Sequence, residues 1–452
     1  MSRPSRVTGQ RTERILVAII GGVVGGSAGA VFVVVVTDWI KHLLALVTKG
    51  DDWVLVVVPL IGITLAVVIL QVFGKGTAAQ HLDDAPAAPK VGFHPWRSFP
   101  LDLARADLTA DVVASAGREE RFPWRLAPIR TIAIVTSVGL GAPLGTESPA
   151  AHLGTAAGSA LGSRRWAQRM ARSAGLGGGA AAVAALIGLP LVGLVFILEL
   201  GRRRRIAVSV ERVLAAGAGA TVGWLLNTAF GLDFISLAVP HIAPGSLGQV
   251  LVIALVVGGA AGAVSGVTGV VIYAARAWEP HPAVKLAVGA AALGLVAVAL
   301  LVVSTPSAAV GPGGGAVLWA DTAGASGWAM LGVALLRAAA TTAAVTAGGC
   351  GGVFVPFLAI GDLTGRAFVP LIGGPPDLAG AAGAAGGISG GYRLPVTAIA
   401  MVIGVGGPFT ATATCLGTVA VATASGLAVP LGLDRLLGWR SVASRPADNE
   451  SD

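Results

Sequence analysis

Long apolar runs, separated by short polar or glycine- and proline-rich segments, dominate the sequence. Most of them reach the ~20 residues that an α-helix needs to cross the hydrocarbon core of a bilayer. They therefore predict an all-α polytopic membrane protein. The runs cover residues 15–36, 53–72, 126–144, 174–200, 208–230, 250–275, 286–303, 328–347, 351–372, 379–405 and 410–431.

Composition supports the same class. Hydrophobic residues make up 54% of the 452 residues, charged residues make up 12%, and the mean hydropathy is +0.80. The 66 glycines suit a helical bundle, because small residues let membrane helices approach closely. Cys350, Cys415 and six scattered histidines show no metal-ligand spacing, so we expect neither a metal nor any other cofactor.

Charged residues are concentrated in the two ends and in one long polar stretch. Residues 1–14 carry four arginines and predict a cytoplasmic tail. Residues 76–126 predict a solvated polar loop, and residues 436–452 a short tail without a regulatory domain. We attribute the formal net charge of +8 to topology and to contacts with lipid headgroups, and expect no nucleic-acid partner.

Arginines flank the apolar run 174–200 on both sides. Arg164 to Arg172 precede it, and Arg202 to Arg205 follow it. If this run crosses the membrane once, its basic ends lie on opposite faces, and the local preference of positive charge for the cytoplasmic side cancels.

A glutamate stands at a predicted helix start inside the membrane region. It lies in the segment Gly145-Thr146-Glu147-Ser148-Pro149. A carboxylate at bilayer depth is costly unless it lines a protein-enclosed or watery path. The glycines allow a backbone break and the proline favours a helix start, so this segment predicts a broken membrane helix. A capping role in the first turn is the alternative for Glu147.

A second broken segment, residues 351–356, suggests that the chain has two related halves. Pro149 and Pro356 are 207 positions apart, and the Leu-Pro pairs ending at Pro190 and Pro395 are 205 apart. These offsets predict inverted-topology halves at about residues 15–230 and 248–435, with the broken helices meeting at mid-membrane. Because helix N-termini carry unpaired N–H groups and partial positive charge, the pattern predicts an anion path.

These segments resemble the pore motifs of the CLC family of chloride channels and proton-coupled chloride transporters. Residues 145–149 match its Gly-Arg/Lys-Glu-Gly-Pro segment at the glutamate and proline, and residues 352–356 match Gly-x-Phe-x-Pro. Residues 74–78 hold the position of Gly-Ser-Gly-Ile-Pro. Residues 190–199 are similar to the family's Pro-Leu-x-Gly segment, and the resemblance spans about residues 15–435.

The resemblance implies roles for individual residues. Glu147 would be the gate and proton carrier, and the amides of Val353 and Phe354 would hold the anion. Lys75, Thr146 and Ser148 would also line the anion path. The resemblance further implies a multi-pass homodimer in the cell (plasma) membrane, with chloride or another small anion and membrane lipid as partners.

Several positions depart from the family pattern. Thr146 replaces a basic residue, and Lys75 stands where the family has a chloride-contacting serine. Leu200 occupies the place of the inner proton-relay glutamate, with Glu199 beside it as a possible inner relay. Tyr392 lies outside the position of the family's inner tyrosine.

We therefore expect passive anion transport, with chloride as the default ion and Glu147 as the gate. Two alternatives remain open. One is a proton-coupled antiporter for chloride, fluoride or nitrate, with Glu199 or water as its inner relay. The other is an unrelated inverted-repeat permease for a small organic solute. No nucleophile, base and orienting group recur at a recognisable spacing, so we do not expect an enzyme.

Overall fold

The computed structural model describes residues 4–73, 122, 124, 127–203, 207–231, 247–278, 280–405 and 413–437 as a bundle of α-helices. Within these residues, nine helical spans are long and apolar enough to cross a membrane. The helices are α1 (Pro4–Thr48), α2 (Asp52–Phe73), α3 (Ala127–Ile134), α4 (Glu147–Gly162), α5 (Ala171–Ile187), α6 (Pro190–Arg203), α7 (Val210–Phe230), α8 (Leu247–Ala277), α9 (Pro282–Val303), α10 (Pro306–Ala309), α11 (Gly314–Thr322), α12 (Gly327–Ala347), α13 (Phe354–Ala367), α14 (Val369–Ile372), α15 (Pro376–Gly391), α16 (Pro395–Val405) and α17 (Ala413–Leu437).

Glycines set the close helix crossings of the first half. A Cβ atom at Gly154 of α4 would lie 2.3 Å from the carbonyl oxygen of Gly178 in α5. One at Gly158 would lie 2.0 Å from the carbonyl oxygen of Ala174. The contacts run in opposite order along the two helices, so α4 and α5 are antiparallel. The backbones touch directly, which is how small residues promote association between membrane helices.

The second half repeats this crossing. A Cβ atom at Gly361 of α13 would lie 2.3 Å from the carbonyl oxygen of Gly383 in α15, and one at Gly365 would lie 2.0 Å from that of Ala379. The α13 positions are 207 residues after those of α4, and the α15 positions are 205 residues after those of α5. The predicted repeat of two inverted-topology halves is therefore confirmed at the level of single backbone contacts.

The long helices α1 and α7 are parallel and begin at the same end of the bundle, which gives a reference for the direction of the other helices. A Cβ atom at Gly22 of α1 would contact Ala215 of α7, and one at Gly26 would contact Gly219, so the two helices are parallel. We call the face where both begin the N-terminal face. The equivalent pair in the second half, α8 and α17, is also parallel, because Gly258 meets Ala422 and Gly262 meets Gly426.

The apolar run 174–200 does not form one crossing, which was the condition for its basic ends to lie on opposite faces. It breaks at Gly188, whose φ of 76° ends α5, and α6 starts at Pro190. A Cβ atom at Gly193 would touch Ala180 and Ala184, so α6 turns back along α5. Only six residues then separate the end of α6 from the start of α7. Arg172 before the run and Arg202 after it therefore lie on the N-terminal face, and their charges add rather than cancel.

The run 379–405 breaks in the same way, between Gly391 and Pro395. The run 126–144 is shorter as a helix than expected, since α3 passes into a π-helical turn at Val135–Gly139 before the glutamate loop. Breaks of this kind put non-helical backbone deep in the protein, where other helices enclose it. Lys75 and, apart from Phe122 and Trp124, the predicted polar loop lie outside the described residues.

Candidate anion pathway

Two loops at the centre of the bundle are tied together by a pair of backbone hydrogen bonds. The amide of Gly145 donates to the carbonyl oxygen of Gly352 at 2.7 Å, and the amide of Gly352 donates to that of Gly145 at 2.8 Å. The first loop leads directly into α4 and the second into α13. The bridge therefore brings the N-termini of the two predicted broken helices together.

Further hydrogen bonds between residues far apart in the sequence also hold these loops in place. The hydroxyl of Thr341 donates to the carbonyl oxygen of Pro143 at 3.0 Å, and the amide of Cys350 donates to the hydroxyl of Ser137 at 3.0 Å. The amide of Gly311 donates to the carbonyl oxygen of Gly141 at 2.9 Å. These long-range bonds satisfy backbone groups that a helix would otherwise pair, so the loops are fixed structures.

Glu147 is the first residue of α4 and is 1% exposed. Its side chain folds back over the loop, since a Cβ atom at Gly145 would lie 2.6 Å from its Oε2 atom. Its Oε1 atom accepts a hydrogen bond from the Thr146 hydroxyl at 3.3 Å, and its carboxyl group lies beside the amide of Val355. Among the described residues, Oε2 has no hydrogen-bond partner. The carboxyl group thus stands between the two helix starts.

The start of α13 offers backbone N–H groups to this space. Val353 is its N-cap, and the first amide bonded within the helix is that of Phe357, which donates to the carbonyl oxygen of Val353 at 3.1 Å. Pro356 has no N–H group, so the donors of the first turn are Phe354 and Val355. Neither Val353 nor the equivalent Thr146 accepts a side-chain capping bond. Sequence reasoning singled out Val353 and Phe354 but missed Val355.

Aromatic rings enclose the same helix start. Phe354 packs edge-on against Phe196 and Tyr392, with ring centroids 5.7 Å and 5.6 Å away. The Tyr392 hydroxyl lies 2.9 Å from that of Ser148, and both side chains are buried. Tyr392 is therefore a site residue that the sequence analysis had set aside. A usable signal was its place directly after α15 and before Leu394-Pro395, where the chain breaks.

Glu199 lies elsewhere and has a defined structural role. Its carboxylate accepts hydrogen bonds from the amides of Val396 and Thr397 at 3.0 Å and 2.8 Å, and from the Thr397 hydroxyl at 2.7 Å. It thus caps the N-terminus of α16. The neighbouring Leu200 is 2% exposed and belongs to the hydrophobic core.

A buried arginine that the sequence analysis did not consider also supports the loops. Arg337 of α12 is 1% exposed and donates to the carbonyl oxygens of Ala308, Ala309 and Gly311 at 3.4, 3.5 and 2.6 Å. Gly311 in turn bonds the glutamate loop at Gly141. The guanidinium group therefore adds a fixed positive charge behind that loop.

Comparisons with known proteins agree with this geometry. A family model described as voltage gated chloride channel matches residues 106–427, more than two thirds of the chain. No curated protein matches the chain in sequence.

Solved structures share the fold. A CLC-type fluoride/proton antiporter aligns with a TM-score of 0.68 and 22% identity, covering 93% of this chain and 95% of its own. A slow cyanobacterial Cl⁻/H⁺ antiporter aligns with a TM-score of 0.62 and 19% identity over 94% and 98%. A eukaryotic CLC transporter aligns with a TM-score of 0.62 and 15% identity over 95% and 73%. This chain belongs to the voltage gated chloride channel (CLC) family of anion-transporting membrane proteins.

Proposed function

We propose that this protein conducts anions passively, with chloride as the default ion, through the space between the N-termini of α4 and α13. Glu147 is the gate. The observation that carries this proposal is the position of its carboxyl group, which is buried beside the amide of Val355. A carboxylate there competes with a permeating anion for the same helix dipoles.

The anion is held by backbone N–H groups in this proposal. Val353, Phe354 and Val355 present them at the start of α13, and Thr146 and Ser148 supply hydroxyl groups at the start of α4. Neutral dipoles bind an anion weakly enough for it to leave again, which conduction requires. The assignment of Lys75 to the path stays a prediction, because that residue lies outside the described part of the chain.

The environment of Leu200 and Glu199 supports the passive mechanism. Leu200 cannot exchange a proton, and three hydrogen bonds from α16 hold the Glu199 carboxylate. Purified protein in liposomes tests this. Under a chloride gradient we expect anion flux without proton uptake, and flux that responds to pH in the wild type but not in Glu147→Gln. Robust proton uptake against its gradient would contradict the passive mechanism.

Proton-coupled antiport of fluoride or chloride is the second candidate. Two of the solved structures that share the fold are described as a fluoride/proton and a Cl⁻/H⁺ antiporter. Within the site, the hydroxyl groups of Ser148, the residue after Glu147, and Tyr392 form a hydrogen-bonded pair that can exchange protons. Proton uptake should be compared in the wild type, Glu199→Gln and Leu200→Glu. Coupling that vanishes in Glu199→Gln identifies Glu199 as the relay, whereas coupling that survives it points to water or the hydroxyl pair.

We also propose that the N-terminal face is cytoplasmic and that the protein is a homodimer in the plasma membrane. The orientation rests on the arginines that the fold gathers on that face, namely Arg11, Arg14, Arg164, Arg165, Arg169, Arg172, Arg202 and Arg212. Labelling of a single cysteine at exposed Arg165 from each side of intact cells tests the orientation. Modification from outside would reverse it.

A further inference from the structure

An open cavity of about 730 Å³ lies on the N-terminal face, away from the anion pathway. The start of α1, the C-terminal end of α4, the start of α5 and the start of α7 form its walls. Its charged lining consists of Arg14, Arg169 and Arg172 together with Glu13 and Glu211. The volume falls within the range of small-molecule sites in proteins.

Arg169 and Arg172 are available to a ligand in this cavity. The ion pair between Arg169 and Glu13 is long, at 3.5 Å, and both side chains are largely exposed, at 86% and 63%. Such exposed pairs contribute little and are readily exchanged. The positive charge of Arg172 also acts on that of nearby Arg212, and the two charges repel each other. A bound anion would relieve this repulsion.

The surroundings of the cavity fit a lipid. Val17, Ala18 and Phe122 form an apolar part of its wall. On α1, Leu16 and Ile20 are about half exposed, at 52% and 49%, so lipid-facing surface begins beside the cavity. Trp166, 65% exposed, lies in the turn that carries Arg169, and tryptophan favours the membrane–water boundary. A headgroup could enter the cavity while its acyl chains remain against α1.

We propose that this cavity binds a phosphate group, and that the group belongs to an anionic membrane lipid. The phosphate would be contacted by Arg14, Arg169 and Arg172. Each guanidinium group can donate two parallel hydrogen bonds to a phosphate group. Basic pockets between membrane helices on the cytoplasmic side are known to suit such headgroups. Ser159, Gly162 and Ser163 belong to the wall as well, so the ligand would touch the end of the helix that begins at Glu147.

The test measures lipid retained by full-length protein in phosphatidylcholine nanodiscs that contain a small fraction of phosphatidylglycerol. We expect saturable retention of phosphatidylglycerol, reduced about tenfold in Arg169→Gln/Arg172→Gln because each basic contact near a membrane surface adds to binding. The matched control is Arg164→Gln/Arg165→Gln. It removes the same charge from the same exposed segment but from residues outside the cavity wall.

A second variant tests the cavity without changing any charge. Ser163 is exposed at the end of α4, and Ser163→Trp would obstruct part of the cavity while all arginines remain. It should also reduce retention. If the two double variants retained the same amount of phosphatidylglycerol, the proposal would be overturned. Binding would then depend on surface charge in general and not on the cavity. Unchanged melting temperatures confirm that the variants are folded.

Free phosphate is examined in a separate arm, by titrating inorganic phosphate into protein in pure phosphatidylcholine. Saturable binding that depends on Arg169 and Arg172 would support the phosphate site but assign it to a soluble ligand. These are binding measurements, so they stand independently of the flux assays for the anion pathway.

Discussion

The two halves of this protein share a backbone design but differ in chemistry at corresponding positions. Gly154 and Gly178 meet in the first half as Gly361 and Gly383 meet in the second. At the helix start before this crossing, however, the first half has Glu147 and the second has Phe354, 207 positions later. The first half supplies a carboxyl group, which is negatively charged only when deprotonated. The second half supplies backbone N–H groups next to the buried ring of Phe354. In the mechanism proposed above, the first half therefore blocks the path and the second half binds the ion.

The outer ends of the same helices differ just as clearly. Arg172, at the start of α5, lines the basic cavity, whereas the corresponding residue of α15 is Asp377. Asp377 accepts a hydrogen bond at 3.1 Å from Arg366, which also bonds Asp362 and Asp321 at 3.0 Å and 3.2 Å. The second half neutralises its buried arginine with its own carboxylates, while the first leaves arginines open to a ligand. Packing is therefore repeated where backbones touch, whereas the side chains at corresponding positions differ both in the buried site and at the ends of the helices.

The largest expected effect is on stability, and it comes from substituting the glycines at the helix crossing that both halves share. Gly154→Ala and Gly361→Ala each place a Cβ atom 2.3 Å from a carbonyl oxygen of the facing helix. We expect each to destabilise the fold by about 3 kcal/mol or more, because backbone must move apart. The measurement is the melting temperature and the folded fraction in size-exclusion chromatography. Gly332→Ala is the control, since nothing lies within 4 Å of its added Cβ atom. If only one half were sensitive, the crossings would not be equivalent.

Phe354→Ala distinguishes the contribution of the Phe354 ring from that of the backbone N–H groups in the second half. It removes a ring that is 1% exposed and packs on Phe196 and Tyr392, so we expect about 3 kcal/mol of destabilisation. The response of anion flux to pH should persist in the protein that folds, because the amides and Glu147 remain. Phe230→Ala, at a ring that is 67% exposed, should change neither property. Loss of the pH response in Phe354→Ala would mean that the ring takes part in gating.

Glu147→Gln addresses the first half's contribution. A neutral amide competes less well for the helix N-termini, which is worth about 1 kcal/mol, so anion flux should rise about fivefold. Its dependence on pH should disappear as well. Fluxes measured by a chloride electrode at several pH values provide the check, with Glu199→Gln as the control carboxylate. Unchanged flux and pH response in folded Glu147→Gln would leave Glu147 as a helix cap only.

The smallest effect concerns the hydroxyl–hydroxyl bond between Ser148 and Tyr392, one of the bonds that join the halves at the site. Tyr392→Phe and Ser148→Ala each remove the 2.9 Å hydroxyl contact and should cost about 1 kcal/mol of stability. The double variant should cost little more than either one, because both lose the same bond. Tyr273→Phe on α8 is the control. Fully additive losses, measured by thermal unfolding, would show that the two hydroxyl groups act separately.

Much of this fold could be predicted because its signals are local. The apolar runs, the glycine and proline breaks at Glu147 and Phe354, and the 207-residue offset are all visible in the sequence. The turn at Gly188 was harder to predict. Its run is continuously apolar, so hydropathy cannot distinguish one crossing from two antiparallel helices. The corresponding break in the second half is less visible still, since it occurs at Arg393, a non-glycine residue with φ of 57°.

The sequence by itself determined the membrane class, the two halves and the gate candidate, because burial in lipid imposes length, polarity and backbone rules on each segment. Only the tertiary structure decided that Tyr392 meets Ser148, that Glu199 caps α16 and that both arginine groups lie on one face. Each of these depends on residues far apart in the chain. Their contacts are set by how helices turn back and pack, which no local pattern records.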